Sequence, residues 1–345
     1  FILPEPGSGN ADAFDPAWLM QPAWGEFARR ALLGPGLLLA ALSQRVWGHR
    51  SWARAMEQLG PVLPTGLFDN RPIDTELARL FTRAGRSNDF RRLRTRLTLV
   101  ATDLDTGEAV PFGQPGWDTV PISRAVQASA ALPGLFPPVE IDGRYYVDGA
   151  LKKTLHASVA LEQGLDLLLC LNPLVPFDAS ATPPQHEAEA RRQGAAAPIP
   201  PMVRGGLPAV LSQTFRSLIH SRLVLGMKQY ERLYPQTDIL LVEPDHRDPQ
   251  LYLANTFSYR QRRQVAEHAY QQTRMLLRSR SAELGPRLAR HGLTLRLDRL
   301  DDTQRRLCPA PLARSSLGQA VQRLDTVLDG LGRQLRQRAG GTPGA

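Results

Sequence analysis

The residues whose types and spacing could do chemistry are carboxylates that close two apolar runs. Asp148 ends Arg144-Tyr145-Tyr146-Val147 and is followed at once by Gly149 and Ala150. Asp103 ends Leu97-Thr98-Leu99-Val100-Ala101-Thr102 and leads into Leu104-Asp105-Thr106-Gly107-Glu108. A carboxylate at a strand end, beside a glycine that lets another backbone or a substrate approach closely, is where an α/β protein keeps reactive groups. Asp148 could accept a proton from a serine hydroxyl lying opposite it. An ordinary Asp, with a pKa of about 3.9, is a poor base. Bringing it to about 7 takes about 3 units, or about 4 kcal/mol, from burial and neighbours. The plainer reading is an Asp that closes a strand and caps the turn after it. Taken alone, the Asp-Gly dipeptide favours the cap.

Other reactive side chains are scattered. His156 lies eight residues past Asp148, in an expected helix, and His220 lies in a longer one. Neither has an activated serine partner, and both read as satisfied or exposed helix histidines. Cys170 falls inside an apolar strand and reads as core; with Cys308 it makes no disulfide framework. No Cys/His spacing indicates a metal, so none is expected. Arg91, Arg92, Arg94 and Arg96, and the basic stretch 260–280, could meet phosphates. Their aromatics are too sparse for a stacking platform, and no helix-turn-helix or zinc spacing occurs, so nucleic acid is not an expected partner. They read as solvated faces or as a surface for anionic membrane.

The elements that must position these groups follow from periodicity. Ile122, Ala125, Val126 and Ser129 recur at helical spacing after Pro121, and Leu132-Pro133-Gly134 stops the helix. Val139-Glu140-Ile141 and Arg144–Val147 flank Asp142-Gly143, a strong two-residue hairpin signal. Leu97–Thr102 and Ala109–Phe112 form a second hairpin around Asp103–Glu108. A short helix ending near Gly85 precedes them. Thr154–Gln163 reads as a helix stopped by Gly164, and Asp166–Asn172 as a strand apolar throughout, of the kind covered on both faces in a parallel sheet. Beyond a Pro/Ala-rich stretch, Leu211, Phe215, Leu218, Ile219, Leu223, Met227 and Tyr230 mark a long helix, Asp238–Val242 a buried strand, and Ser258–Arg280 a charged helix. Strand, helix, strand in this order means α/β architecture.

The chain has 345 residues, 42% hydrophobic and 22% charged, which suits a globular protein of about two domains. All but three of its 42 basic residues are Arg, and the formal net charge is +9. The skew reads first as genome composition; the alternative is an Arg surface that attracts anionic head groups. No apolar run reaches the ~18–20 residues of a membrane helix. Residues 1–60 read as loose helices, including Leu37–Leu42, that serve as core or surface elements or as an amphipathic lid. The compartment stays open, cytoplasmic or peripheral to a membrane. The first residue is Phe1, and the chain is expected to be a fragment or a processed product.

Taken together, Ala128-Ser129-Ala130-Ala131-Leu132-Pro133, Leu135-Phe136-Pro137-Pro138, the hairpin and Asp148-Gly149-Ala150 resemble the patatin-like phospholipase family. The Val100–Gly107 hairpin and Asn172-Pro173 are similar to it as well. The resemblance is good from about Leu97 to Pro176 and weaker over 65–245. It implies a three-layer α/β fold, here with an incomplete central sheet and a helical C-terminal extension. It also implies a serine acyl hydrolase of lipid esters, with no metal or organic cofactor. In that family the Asp of a DG[AG] motif pairs with a Ser in a G-x-S-x-G elbow, and a Gly-rich loop supplies the oxyanion hole. Asp148 would then be the proton acceptor, with Gly149 and Ala150 completing its motif. No serine here matches the elbow: Pro6-Gly7-Ser8-Gly9-Asn10 lacks its spacing and the strand before it. The chain alone is therefore expected to be inactive.

The resemblance implies a division into 1–176 as the C-terminal part of the catalytic domain, 177–206 as a linker or insertion, 207–300 as a helical extension with one strand, and 301–345 as a disordered tail. Two alternatives stand beside the hydrolase. One is a non-catalytic lipid-binding protein on the same fold. The other rests on Asp103-Leu104-Asp105-Thr106, which resembles the first motif of haloacid dehalogenase-like phosphatases, although Gly107 stands where a Thr or Val belongs.

Overall fold

Two hairpins, joined edge to edge, build the sheet that carries both carboxylates. In the computed structural model, which describes residues 21–30, 32, 64–178, 202–252 and 262–307, helix α1 spans Arg71–Phe81. Strand β1 spans Leu99–Asp103 and β2 Ala109–Phe112, followed by helix α2 over Ile122–Ser129. Strands β3 (Val139–Ile141) and β4 (Arg144–Asp148) complete an antiparallel sheet of order β2-β1-β4-β3. The β3–β4 turn places Asp142 at φ 51° and Gly143 at φ 74°. Both central residues are left-handed, the turn whose twist matches the flanking strands. At the β1–β2 turn the Asp103 carboxylate accepts the backbone N–H groups of Asp105 (3.0 Å) and Thr106 (3.1 Å), so it holds the loop it begins.

Helix α2 lies close on this sheet because alanines stand beside Ile122 on its buried face. Ala125 and Ala128, and Ala131 just after the helix, are fully buried, and small side chains let the helix backbone come close to β1 and β4. Phe112 and Tyr146, also buried, meet edge-on with centroids 5.2 Å apart. Helix α1 packs on the far side of α2 through a polar seam. The Ser123 hydroxyl donates to Asp74 (2.6 Å), and buried Gln127 donates to Asn70 (2.9 Å).

The second sheet is parallel. Helix α3 (Ala157–Leu161) precedes β5 (Leu167–Leu171); helix α4 (Gly206–Leu233) precedes β6 (Asp238–Val242). Leu167 pairs with Asp238 and Leu171 with Val242, so β6 joins β5 across the Pro/Ala-rich stretch. Ala157, Leu161, buried Cys170, Leu223, Met227, Tyr230 and Ile239 form one core around it. Two expectations need correction. Helix α3 is shorter than Thr154–Gln163 because residues before it are held elsewhere: the Thr154 hydroxyl donates to the Ile219 carbonyl of α4 (2.6 Å). Strand β5 is not covered on both faces, since Leu169 and Leu171 are 58% and 68% exposed. Along α4, likewise, Leu211 and Leu218 face outward while Ile219, Leu223, Met227 and Tyr230 are buried.

Helices α5 (Pro249–Tyr252), α6 (Arg262–Ser279), α7 (Ser281–Ala289) and α8 (Leu297–Asp301) complete the described chain. Buried Arg274 of α6 donates to the carbonyls of Arg299 (2.8 Å) and Leu300 (2.9 Å), so a guanidinium satisfies the end of α8. The α/β expectation with a helical C-terminal part therefore holds. Of the expected N-terminal helices, residues 24–30 are helical. The lid segment at Leu37–Leu42, the Pro6–Asn10 stretch, residues 179–201 of the linker and the tail from Cys308 lie outside the described residues. Among the described residues no helix is long and apolar enough to cross a membrane.

Removing the fully buried Phe112 ring deletes the edge-on contact with Tyr146 and leaves a cavity between the sheet and α2. Phe112→Ala is expected to cost about 3–5 kcal/mol, read as a lower urea midpoint at unchanged slope.

Candidate active site

Asp148 is fixed through its backbone before its side chain does anything. The residue pairs with Ala101 of β1 at the end of β4. Its N–H donates to the Ala131 carbonyl (3.0 Å), and its own carbonyl accepts from the Thr102 hydroxyl (3.2 Å). The chain then turns through a single 3-10 turn, Gly149–Leu151, and one Asp148 carboxylate oxygen accepts the Ala150 N–H at 2.8 Å. The capping role anticipated for this Asp is therefore present. It engages one oxygen, and among the described residues the second carboxylate oxygen has no hydrogen-bond donor. Burial pushes the Asp148 carboxyl above its ordinary value; the Ala150 N–H and the nearby His156 offset part of that rise.

Gly149 is required by space. A Cβ there would stand 2.3 Å from the Val100 carbonyl oxygen, a contact that no side chain can relieve because the obstacle is backbone. The same oxygen accepts the Ser129 hydroxyl at 2.7 Å, so the turn and the end of α2 meet at one atom of β1. On the other side, His156 sits just before α3 and its Nε2 lies 2.9 Å from the Gly149 carbonyl. A carbonyl only accepts, so Nε2 carries the proton. Burial holds the ring below its ordinary pKa and favours the neutral form. His156 is thus a satisfied histidine, as expected, and it is satisfied by the very turn that presents Asp148. The eight-residue spacing gave no sign of this contact, which depends on the connector over 152–156.

Asp103 is placed differently. It is 2% exposed, both turn N–H groups bind one oxygen, and Arg144 reaches the other at 3.4 Å. Those backbone N–H bonds, ahead of the arginine, hold its pKa below the ordinary value. A carboxylate committed on both oxygens to a hairpin is poorly placed to attack a phosphoryl group, and Asp105 beside it is exposed. The hairpin reading is the one the geometry carries, against the phosphatase reading.

Residues 12–161 match the patatin-like phospholipase family. That segment includes the Asp148 turn, Ser129 and the whole four-stranded sheet, and it reaches further toward the N-terminus than the motifs quoted above. The chain is also similar to an uncharacterized NTE family protein of Mycobacterium bovis, 36% identical over 92 residues. Two proteins of the same description from Mycobacterium tuberculosis match to the same extent. The aligned stretch is 27% of this chain, and the chain spans about a quarter (23%) of the length of these curated relatives.

The remaining sequence candidates fall outside the Asp148 turn. His220 projects from α4 toward Glu243 and His246, a grouping that the spacing did not reveal. Much of the basic surface is engaged locally: Arg91 pairs with Asp89, Arg278 with Asp301 and Arg280 with Glu283.

Two outcomes follow from this geometry. Gly149→Ala is expected to cost about 3 kcal/mol, the upper end of ordinary overpacking, measured by urea unfolding. The pKa of Asp148 is displaced in the opposite direction to those of the arginine-paired carboxyls Asp69 and Asp89. With its folded pKa above the ordinary 3.8, its contribution to stability is complete below the unfolded value and is lost as pH rises through the folded one. Asp148→Asn, which keeps an oxygen for the Ala150 N–H, should therefore melt higher than the parent at pH 7. The advantage should vanish as the pH falls toward the ordinary carboxylate range; thermal melts across pH read it directly.

Proposed function

We propose that this chain carries the acid–base half of a serine acyl hydrolase of lipid esters, with Asp148 as the proton acceptor. The observation that carries this reading is the state of Asp148: one oxygen capped, the other unbound among the described residues, and the carboxyl raised by burial. Within the patatin-like segment, such a group can act directly on a serine without an intervening histidine. In the reaction the serine Oγ attacks the acyl carbonyl carbon while its proton passes to the free Asp148 oxygen. Backbone amides hold the oxyanion of the tetrahedral intermediate. Asp148 then returns the proton to the departing alcohol, and a water molecule, deprotonated by the same oxygen, releases the fatty acid. Gly149 and His156 act as positioning residues, since both fix the turn rather than touch the reacting atoms.

Within the 345 residues no serine has the G-x-S-x-G pattern. In this reading the chain alone is inert, and turnover requires the serine and the oxyanion donors to be supplied alongside it. A second reading, a non-catalytic lipid-binding protein, draws on that same sequence fact.

The test uses the product of the whole gene and a chromogenic fatty-acyl ester. Asp148→Asn is expected to lower turnover by about 10⁴-fold or more, with circular dichroism unchanged. Turnover retained within tenfold would remove Asp148 from the role of base. A whole product that hydrolyses nothing yet floats with liposomes would favour the lipid-binding reading.

A further inference from the structure

Away from the Asp148 turn, three potential metal ligands from two separate parts of the chain converge. His220 comes from α4, Glu243 is the first residue after β6, and His246 lies three positions further. Their ligand atoms all lie within 4.8 Å of one another. The Nδ1 of His220 is 3.5 Å from the Glu243 carboxylate, and the two imidazole rings meet edge-on at 4.7 Å. Nδ1 of His220 is also wholly buried and, among the described residues, has no hydrogen-bond partner. A buried polar atom left unsatisfied costs about 1–3 kcal/mol, which is reason to look for an absent ligand at that point.

We propose that His220, Glu243 and His246 bind a divalent transition-metal ion of the Zn²⁺ class. Two ligands about 2.0–2.1 Å from a tetrahedral ion stand about 3.3 Å apart, close to the 3.5 Å already present between His220 and Glu243. Two imidazoles and one carboxylate suit Zn²⁺, Co²⁺ or Ni²⁺ and disfavour Mg²⁺ or Ca²⁺, which take oxygen ligands. Three protein ligands leave a fourth position for water.

The supporting groups are in place. Asn172, 4% exposed and immediately after β5, donates its side-chain N–H to the Glu243 carboxylate at 2.7 Å. Its backbone N–H donates to Val242 (3.1 Å) and its Oδ1 accepts from Leu174 (3.2 Å), so Asn172 is itself held and fixes the orientation of the carboxylate. The His246 loop is braced by Arg247 N–H on Asp245 (2.9 Å) and by Asp178 N–H on the His246 carbonyl (2.9 Å). Asn172 and Glu243 follow the carboxyl ends of two adjacent parallel strands, the edge at which α/β sheets collect ligands.

The experiment is a titration of the tag-free 345-residue chain, stripped with a chelator and dialysed, with Zn²⁺ alone, and then with Co²⁺ to read its visible absorption. One equivalent of Zn²⁺ is expected to bind, Mg²⁺ should not compete, and His246→Ala should weaken binding by about 100-fold or more. Glu243→Gln, which can still accept from Asn172, should weaken it as well and alter the Co²⁺ spectrum. Circular dichroism on each variant separates lost ligands from lost fold. Absence of saturable Zn²⁺ binding overturns the proposal, as does one-equivalent binding that survives both substitutions. Neither readout involves ester hydrolysis, so the result stands apart from the role assigned to Asp148.

Discussion

The carbonyl oxygen of Val100 is the atom on which the arrangement around Asp148 depends. It receives the Ser129 hydroxyl from the end of α2, and Gly149 presses against it from the turn after β4. A single backbone atom near the start of β1 thereby sets both the height of α2 above the sheet and the place where the chain leaves β4. The buried alanines of α2 make this approach possible, and the absence of a Cβ at Gly149 completes it. Neither contact is strong alone. A hydroxyl-to-carbonyl bond contributes about 1 kcal/mol net, and the glycine contributes by what it does not carry. Their value lies in geometry, since together they leave the Asp148 carboxylate little freedom of position.

At Asp148 two physical effects oppose each other. The Ala150 N–H favours the ionised carboxylate, and burial disfavours it; burial prevails. A purely structural cap has no need of that outcome, because an exposed Asp caps a turn as well as a buried one. The contrast with Asp103 makes the point. There backbone N–H groups outweigh burial, both oxygens are occupied, and the carboxylate is held in its ionised, unreactive form. The two residues face each other's strands in one sheet, yet the number of donors around each sends their acidities in opposite directions.

What was legible in the sequence was local. Asp142-Gly143 specified a left-handed turn, the alternation around it specified two strands, and Gly149 after a strand end specified a close approach. The long α4 and the short strands β5 and β6 followed from periodicity and apolar runs. What was not legible was long-range. The length of α3 is set by where Thr154 and His156 find acceptors, and those acceptors belong to α4 and to the Asp148 turn. Apolar character gave no direction either: Leu169 and Leu218 are as hydrophobic as their buried neighbours but face outward. The grouping of His220 with Glu243 and His246 needs α4 packed against β6, and the Asn172 contact to Glu243 needs the parallel pairing of β5 with β6. No spacing rule within one segment could anticipate it.

The same connector joins the two regions. Residues 152–156 are tied at the end by His156 to the Gly149 carbonyl and at the middle by Thr154 to the Ile219 carbonyl, one residue before His220. Arg222 of α4 adds a bond to the Leu151 carbonyl at 2.5 Å. Helix α4 is therefore not an appendage to the four-stranded sheet, because Leu151, Thr154 and Leu155, of the turn and connector that follow Asp148, are all hydrogen-bonded to it. Continuity of contact is not itself coupling, which requires an element with two arrangements. What these bonds do establish is relative placement. The segment that presents the carboxylate and the helix that carries His220 share their anchoring points, and the register of α4 against 151–154 fixes how far apart the two sites lie.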